Sequence, residues 1–462
     1  MSAVPACLLA ACSLGPRYQH PVIAAPPTWV AGEEAAADPS AAWPSADWWR
    51  GFGSPQLDEL IAQAQRANDD IVAAMARVRE ADAQTMVAGA PLLPAAALSA
   101  GATRARQRPA AAGSAPVTSS QFSALASASY QLDFWGKNRA QLNAARFAAT
   151  ASRYDRATIE LAVMTSVATT YFQAIEQQDR LKVAEEDLAT AQTLLKYLTI
   201  EERVGTATSL DVAQQATTVA VLDASIPPLR RQLRQSLDAL AVLTGRMPHE
   251  MPAPTMTLQE LSVPAVSPGL PSQLLARRPD VALAEAQLMS ANANIAAARA
   301  AFFPSIDLTA TGGFVSRALS GLISPANRVF NLTGGLTQEI FQGGALVGGY
   351  RASKARYAEL LADYHKSVIS AFSNVEDALI GAQQTVEQYR RQQEAVAKAR
   401  RAYELTERQL HAGTVNVLTV LNTQTALFSA EDSLVQVRFA HLQALVDLFS
   451  ALGGGWQGSA TG

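Results

Sequence analysis

The side chains of this 462-residue chain that could do chemistry are two cysteines, five histidines and a few clustered carboxylates. Cys7 and Cys12 both lie in the first twelve residues, so the chain has no disulfide framework. Leu9-Ala10-Ala11-Cys12 matches a lipobox: small residues that suit a signal peptidase, ending on a thiol that can carry diacylglycerol. Cleavage there would leave one lipidated cysteine and no free thiol. The other reading is an apolar N-terminus with cysteines by chance. The eleven residues before Cys12 contain no Lys or Arg, so a start upstream of Met1 is expected. His20, His249, His365, His411 and His441 are scattered, with no metal-ligand spacing and no third ligand. Gly343-Gly344 follows a strand-like segment but lacks the Lys-Ser/Thr of a phosphate loop. Glu185, Glu186 and Asp187 read most simply as a solvated helix face. No catalytic residue, metal or cofactor is expected, and the chain reads as a non-enzyme.

Composition narrows the class further. The net charge of −3 argues against a nucleic-acid binder. Hydrophobic residues make up 49% but aromatics only 6%, so alanine carries much of the apolar count and favours closely packed helices. No uninterrupted apolar run is long enough for a transmembrane helix. A transmembrane β-barrel, with its weaker signal per segment, remains compatible.

The elements that would position any site are long helices. The stretch from Val117 to Ile226 has no proline and only two glycines, Gly136 and Gly205. One helix over 137–202 would span roughly 100 Å at about 1.5 Å per residue. Leu181, Leu188 and Leu195, with Ala184, Ala191 and Leu198, form a coiled-coil seam. The turn at 203–209 leads into a return helix that Pro227-Pro228 should break or kink. Ahead of this hairpin, Ser54 or Pro55 starts a helix with the stripe Leu57, Leu60, Ile61 and Ala64. A second helix follows from about Asp69 to Ala88. Then come two strand-like segments, about 95–106 and 121–134. In the second, Phe122, Ala124, Ala126, Ala128, Tyr130, Leu132 and Phe134 alternate with mostly polar residues.

The same order recurs, with strands expected at about 304–316 and 328–341 and a second hairpin turning at 411–417. Adding 208 takes Gly205 to Gly413, Thr206 to Thr414, Leu210 to Leu418, Val212 to Val420 and Thr217 to Thr425. The expected organisation is therefore a signal segment at 1–11, an extended tether at 12–53, repeats at 54–262 and 263–455, and a flexible tail at 456–462. The fold is mostly α with a small β part. Four strands cannot close a barrel alone, and open edges are forbidden in lipid. Three copies would supply twelve strands, with the apolar face toward lipid and the polar face lining a wet lumen. The long helices would continue the tube on one side of the membrane. A lipid-anchored periplasmic coiled-coil scaffold or adaptor without a pore would explain the hairpins and the anchor, but not the four alternating strands.

Several stretches then resemble a known family: LAAC at the leader, WWRGFGSPQLDELI (48–61), LDFWGKNRA (132–140), IPPLRRQL (226–233), LAVLTGR (240–246), LPSQLLARRPDVALAEAQL (270–288), AARAAFFPSIDL (297–308) and the two hairpin turns. Together they are similar to TolC-type outer-membrane efflux proteins, and most to the NodT-like lipoproteins among them. The resemblance implies a homotrimer with a twelve-stranded outer-membrane β-barrel and a twelve-helix periplasmic barrel. It also implies docking to a periplasmic adaptor and an inner-membrane pump that exports small molecules. The hairpin turns would form the periplasmic entrance. Leu418 matches a position that supplies an apolar ring; it reads equally as a helix seam residue. Relatives often carry an Asp and an Arg where this chain has Asn422 and Thr425, so a hydrogen-bonded closure is expected rather than an ionic one. Gly205, Thr206, Ser209, Gly413, Thr414 and Val417 are candidates for adaptor contact. Plain turn chemistry explains the glycines fully and the others partly.

Overall fold

A computed structural model describes residues 18–30, 43–108, 115–266, 269 and 271–457. Cys7, Cys12 and the end of the C-terminal tail lie outside the described residues. The helices are α1 (Pro55–Ala67), α2 (Asp69–Gly89), α3 (Lys137–Val204), α4 (Ser209–Leu243), α5 (Pro271–Leu274), α6 (Pro279–Ala300), α7 (Ala345–His411) and α8 (Val417–Ala451). The strands are β1 (Ala95–Gln107), β2 (Val117–Gln131), β3 (Ser305–Ser316) and β4 (Arg328–Thr337). Among the described residues, no helix is long and apolar enough to cross a membrane.

The chain divides into two compact units. The first comprises residues 1–22, 77–153 and 283–365 and contains the sheet. Its strands run in the order β1-β2-β3-β4, every neighbouring pair antiparallel. Register carries the alternation of each strand across all four. Ala96, Ala128, Ala310 and Leu332 form one cross-strand row. The next row is Ala97, Ser127, Thr311 and Asn331. Because side chains alternate faces with period 2, one face is apolar and the other mostly polar. β2 starts and ends earlier than the alternation suggests, and Leu132 and Phe134 fall beyond it. β4 likewise stops at Thr337, leaving Ile340 and Phe341 beyond its end and exposed. An aromatic group sits where β2 ends and β3 begins. Trp135 stacks on Phe303 at 4.9 Å and donates from Nε1 to the Pro304 carbonyl at 2.8 Å.

The second unit comprises residues 23–76, 154–282 and 366–462. α1 begins because Ser54 Oγ accepts from the Leu57 amide and Pro55 sits at the first helical position. Its stripe Leu57, Leu60, Ile61 and Ala64 is buried with Tyr171, Phe172 and Ile175 of α3 and Phe449 of α8. Trp48, Trp49 and Phe52 belong to the same core, so the expected tether ends before them. Trp29 is buried as well, against Phe372 and the Gly269 carbonyl. Trp456, placed by sequence in a flexible tail, packs edge-on against Tyr154 at 5.6 Å.

Each repeat uses the same backbone devices. α3 and α7 start 208 residues apart, at Lys137 and Ala345, as do α4 and α8 at Ser209 and Val417. Gly245 and Gly453 end the two return helices at φ 66° and 86°. A Cβ on Gly453 would stand 2.1 Å from the Arg277 carbonyl oxygen, and one on Gly245 would stand 2.5 Å from that of Ala67. The last-turn carbonyls are capped alike. Asn68 Nδ2 donates to the Leu243 oxygen at 2.9 Å, and Arg278 Nη1 donates to the Ala451 oxygen at 2.9 Å.

Pro227 and Pro228 do not break α4, which runs unbroken from Ser209 to Leu243. The carbonyls they free belong to Asp223 and Ala224, both exposed, so water can satisfy them. Ile226 and Leu229, on the buried side, hold the helix through the double proline.

Candidate aperture at the hairpin tips

Both tips are built by the same hydrogen bonds. At the first, the Gly205 amide donates to the Glu202 oxygen and the Thr206 amide to the Glu201 oxygen. At the second, Gly413 donates to Leu410 and Thr414 to Gln409. This pattern ends a helix on a left-handed residue, and Gly205 and Gly413 adopt φ of 84° and 67°. Thr206 and Thr414 each add a hydroxyl bond to the same carbonyl that their amide uses. The return helices then begin on side-chain caps. Thr208 and Asp211 form a reciprocal capping box. Asn416 Oδ1 accepts from the Thr419 amide at 3.1 Å.

The structure separates the expected contact residues. Gly205, Thr206, Ser209, Gly413 and Thr414 are exposed. Val417 is not: it is 7% exposed and packs with Leu198 and Leu421, flanked by Tyr197, Ala207 and Val212. It is the first residue of α8 and faces the partner tip, which removes it from any contact surface. Leu418, by contrast, is 49% exposed. Leu418, Asn422 and Thr425 are spaced by four and three residues and share one open face of α8. The opposite face, Val420, Leu421, Gln424 and Leu427, is buried. Leu418 is therefore not a seam residue within the chain. Leu210, its mate in the first repeat, is also exposed. The Thr425 hydroxyl is spent on the Leu421 carbonyl at 2.9 Å.

Away from the tips, the hairpins are tied by charge. Arg180 of α3 reaches Asp432 of α8 at 2.7 Å and Glu176 at 3.4 Å. Arg400 of α7 pairs with Glu431 of α8 at 2.5 Å, and Arg230 of α4 with Glu185 at 2.8 Å. Asp187 corrects the sequence reading of a solvated acidic face. Glu185 and Glu186 are exposed, but Asp187 is 7% exposed. Burial, with Glu431, Glu186 and Asp432 nearby, pushes its carboxyl up to about 7. The signal was present: Asp187 lies three residues after Ala184 and four before Ala191, both seam positions. Asp179 is half-buried; it accepts from the Leu258 amide at 2.8 Å, and burial pushes it up to about 6.

The histidines stay apart. His20 meets Glu285, His411 packs on Tyr197, and His441 bonds Thr385. Among the described residues, no group of three or more His, Cys, Asp or Glu could hold a metal ion.

Comparison with known proteins agrees with the doubled architecture. The family model for outer membrane efflux proteins matches twice, over residues 60–246 and 270–454, one match per repeat. The pyoverdine export outer membrane protein OpmQ of Pseudomonas aeruginosa is 38% identical over 100% of this chain and 98% of its own length. The probable efflux pump outer membrane protein TtgC of Pseudomonas putida is 34% identical over 98% of this chain and 95% of its own. The solved outer-membrane channel OprN superposes with a TM-score of 0.91 at 25% identity, covering 97% of this chain and all of that one. Two matched repeats, a sheet with one apolar face and paired long hairpins thus have one account: this chain belongs to the outer-membrane efflux protein family, whose members are channels of the outer membrane and not enzymes.

Proposed function

We propose that three copies of this chain close a single tunnel through which a tripartite efflux system exports small molecules across the outer membrane. The observation that carries this reading is the sheet. Its four strands share one apolar and one mostly polar face in strict register, and β1 and β4 each have an edge with no strand partner among the described residues. Such edges are not tolerated in lipid, and twelve strands from three copies remove them. The apolar face then meets lipid, and the Ser/Thr/Asn face lines water. Trp135, Phe134 and Phe303 supply the aromatic level expected at a membrane–water interface.

The hairpin tips take the periplasmic end in this reading. Gly205, Thr206, Ser209, Gly413 and Thr414 meet a periplasmic adaptor, which couples the tunnel to an inner-membrane pump. Leu418, Asn422 and Thr425 face the lumen and narrow it. An apolar ring of Leu418 from three copies can close the pore by dewetting. Asn422, with the Thr425 oxygen left as an acceptor, makes the closure hydrogen-bonded rather than ionic. Cys12 carries the lipid that anchors the chain at the outer membrane. Electron microscopy of the detergent-purified protein tests the assembly. A threefold particle with a long tube is expected; a monomer or a solid coiled-coil rod would refute it.

A further inference from the structure

Below the tips, α3, α4 and α8 line a half-open cavity of about 620 Å³, within the range of small-molecule sites. Leu222, Leu229 and Phe428 give it an apolar wall. Its other wall carries two carboxylates, Asp187 and Asp432. They differ in one respect. Asp432 is satisfied by Arg180 at 2.7 Å and by Gln436 at 2.6 Å. Asp187 is 93% shielded from solvent (7% exposed) and has neither a hydrogen bond nor an ion pair among the described residues. Arg180, the cation in the lining, is already committed to Glu176 and Asp432. Every residue that α4 contributes to the lining is uncharged.

We propose that this cavity binds an amphipathic monocation, an alkyl or aryl amine whose ammonium pairs with Asp187 and whose apolar body lies against Leu222, Leu229 and Phe428. The chemistry selects that class. A buried carboxylate without a counter-charge is costly, and a cation relieves it. An anion is repelled by Asp187 and Asp432. A divalent metal needs several oxygen ligands at once, and one free carboxylate does not supply them. A neutral apolar molecule fills the volume but leaves Asp187 unpaired. The proposal concerns a cavity within one chain and stands apart from the tunnel reading.

Monodansylcadaverine, a primary ammonium on an aromatic body, serves as the probe, with neutral dansylamide as its uncharged counterpart. Titration of the purified full-length protein in a neutral detergent should give saturable binding of the amine with a blue-shifted emission. Asp187→Asn should weaken the amine roughly tenfold or more, the loss given by one charge-assisted contact, and leave dansylamide unchanged. Leu222→Trp, which narrows the cavity at its apolar wall and keeps the carboxylate, should weaken amine binding. That variant keeps the test decisive should Asp187→Asn fail to fold. Equal affinity in the parent and either folded variant overturns the proposal. So does the absence of saturable binding, the result expected if a neighbouring copy's side chain occupies the cavity.

Discussion

Asparagine at position 187 removes one titration while keeping the shape of the side chain, so it isolates what burying this carboxyl does to the fold. Burial moves the group from an ordinary 3.8 to about 7. That is about three units at ~1.4 kcal/mol each, or a ceiling of ~4 kcal/mol. The side chain borders a cavity that admits water, and about half of the ceiling, ~2 kcal/mol, is the expected effect. The sign follows from linkage. The folded value lies above the unfolded one, so the fold holds the proton more tightly. The stability this group contributes is fully present below about pH 4 and is lost as pH rises to about 7. Asp187→Asn stays neutral throughout and escapes that loss. Thermal melts of both proteins in detergent, from pH 4 to pH 8, read the difference. The variant should match the parent near pH 4 and melt about 4 °C higher at pH 8, taking ~2 °C per kcal/mol for a chain of this size. A difference that does not change with pH would refute the reasoning, because it would come from packing and not from ionisation.

Other perturbations follow from the same geometry. Leu418→Ala should raise basal conductance in planar bilayers, since it removes an exposed apolar side chain from the proposed lumen face of α8; unchanged conductance counts against the ring. Ser209→Glu with Thr414→Glu should abolish crosslinking to an adaptor while trimers persist, whereas Val417→Glu should destabilise the tip itself by burying a charge against Leu198 and Leu421. Cys12→Ser should lose metabolic palmitate label, and retained label would reject the anchor. Gly453→Ala should lower the melting temperature far more than Gly413→Ala. Both glycines have positive φ, costing about 1–2 kcal/mol for alanine, but only Gly453 has a carbonyl oxygen 2.1 Å from the added Cβ.

Much of this chain is legible one residue at a time because its periods are local. The 3.6-residue helical period and the 2-residue strand period are properties of neighbouring backbone, and they mark the hairpins and the strands directly. The offset of 208 recovers the helix starts at Lys137 and Ala345, and at Ser209 and Val417. Turn glycines declare themselves because few other residues accept φ near 80°. Strand ends are less legible: the alternation continues past the end of β2 at Gln131 as Leu132 and Phe134, with the Leu132 amide still donating to the Ile306 carbonyl of β3 at 2.8 Å.

Tertiary structure alone decided which face of each helix is covered. Asp187 and Glu186 are adjacent in sequence and alike in chemistry, yet one is buried and the other open, because α4 and α8 pack over only one side of α3. Val417 and Leu418 diverge in the same way, one sealed between the tips and one exposed. Pro227-Pro228 carries a strong local signal to break a helix, and packing at Ile226 and Leu229 overrides it. Sequence by itself determined the elements, their doubling and the apolar face of the sheet, since each follows from the order of side chains along one strand or helix. The unpaired Asp187, the sealed Val417 and the open Leu418 came from the packing of helices far apart in the chain, which no local period encodes.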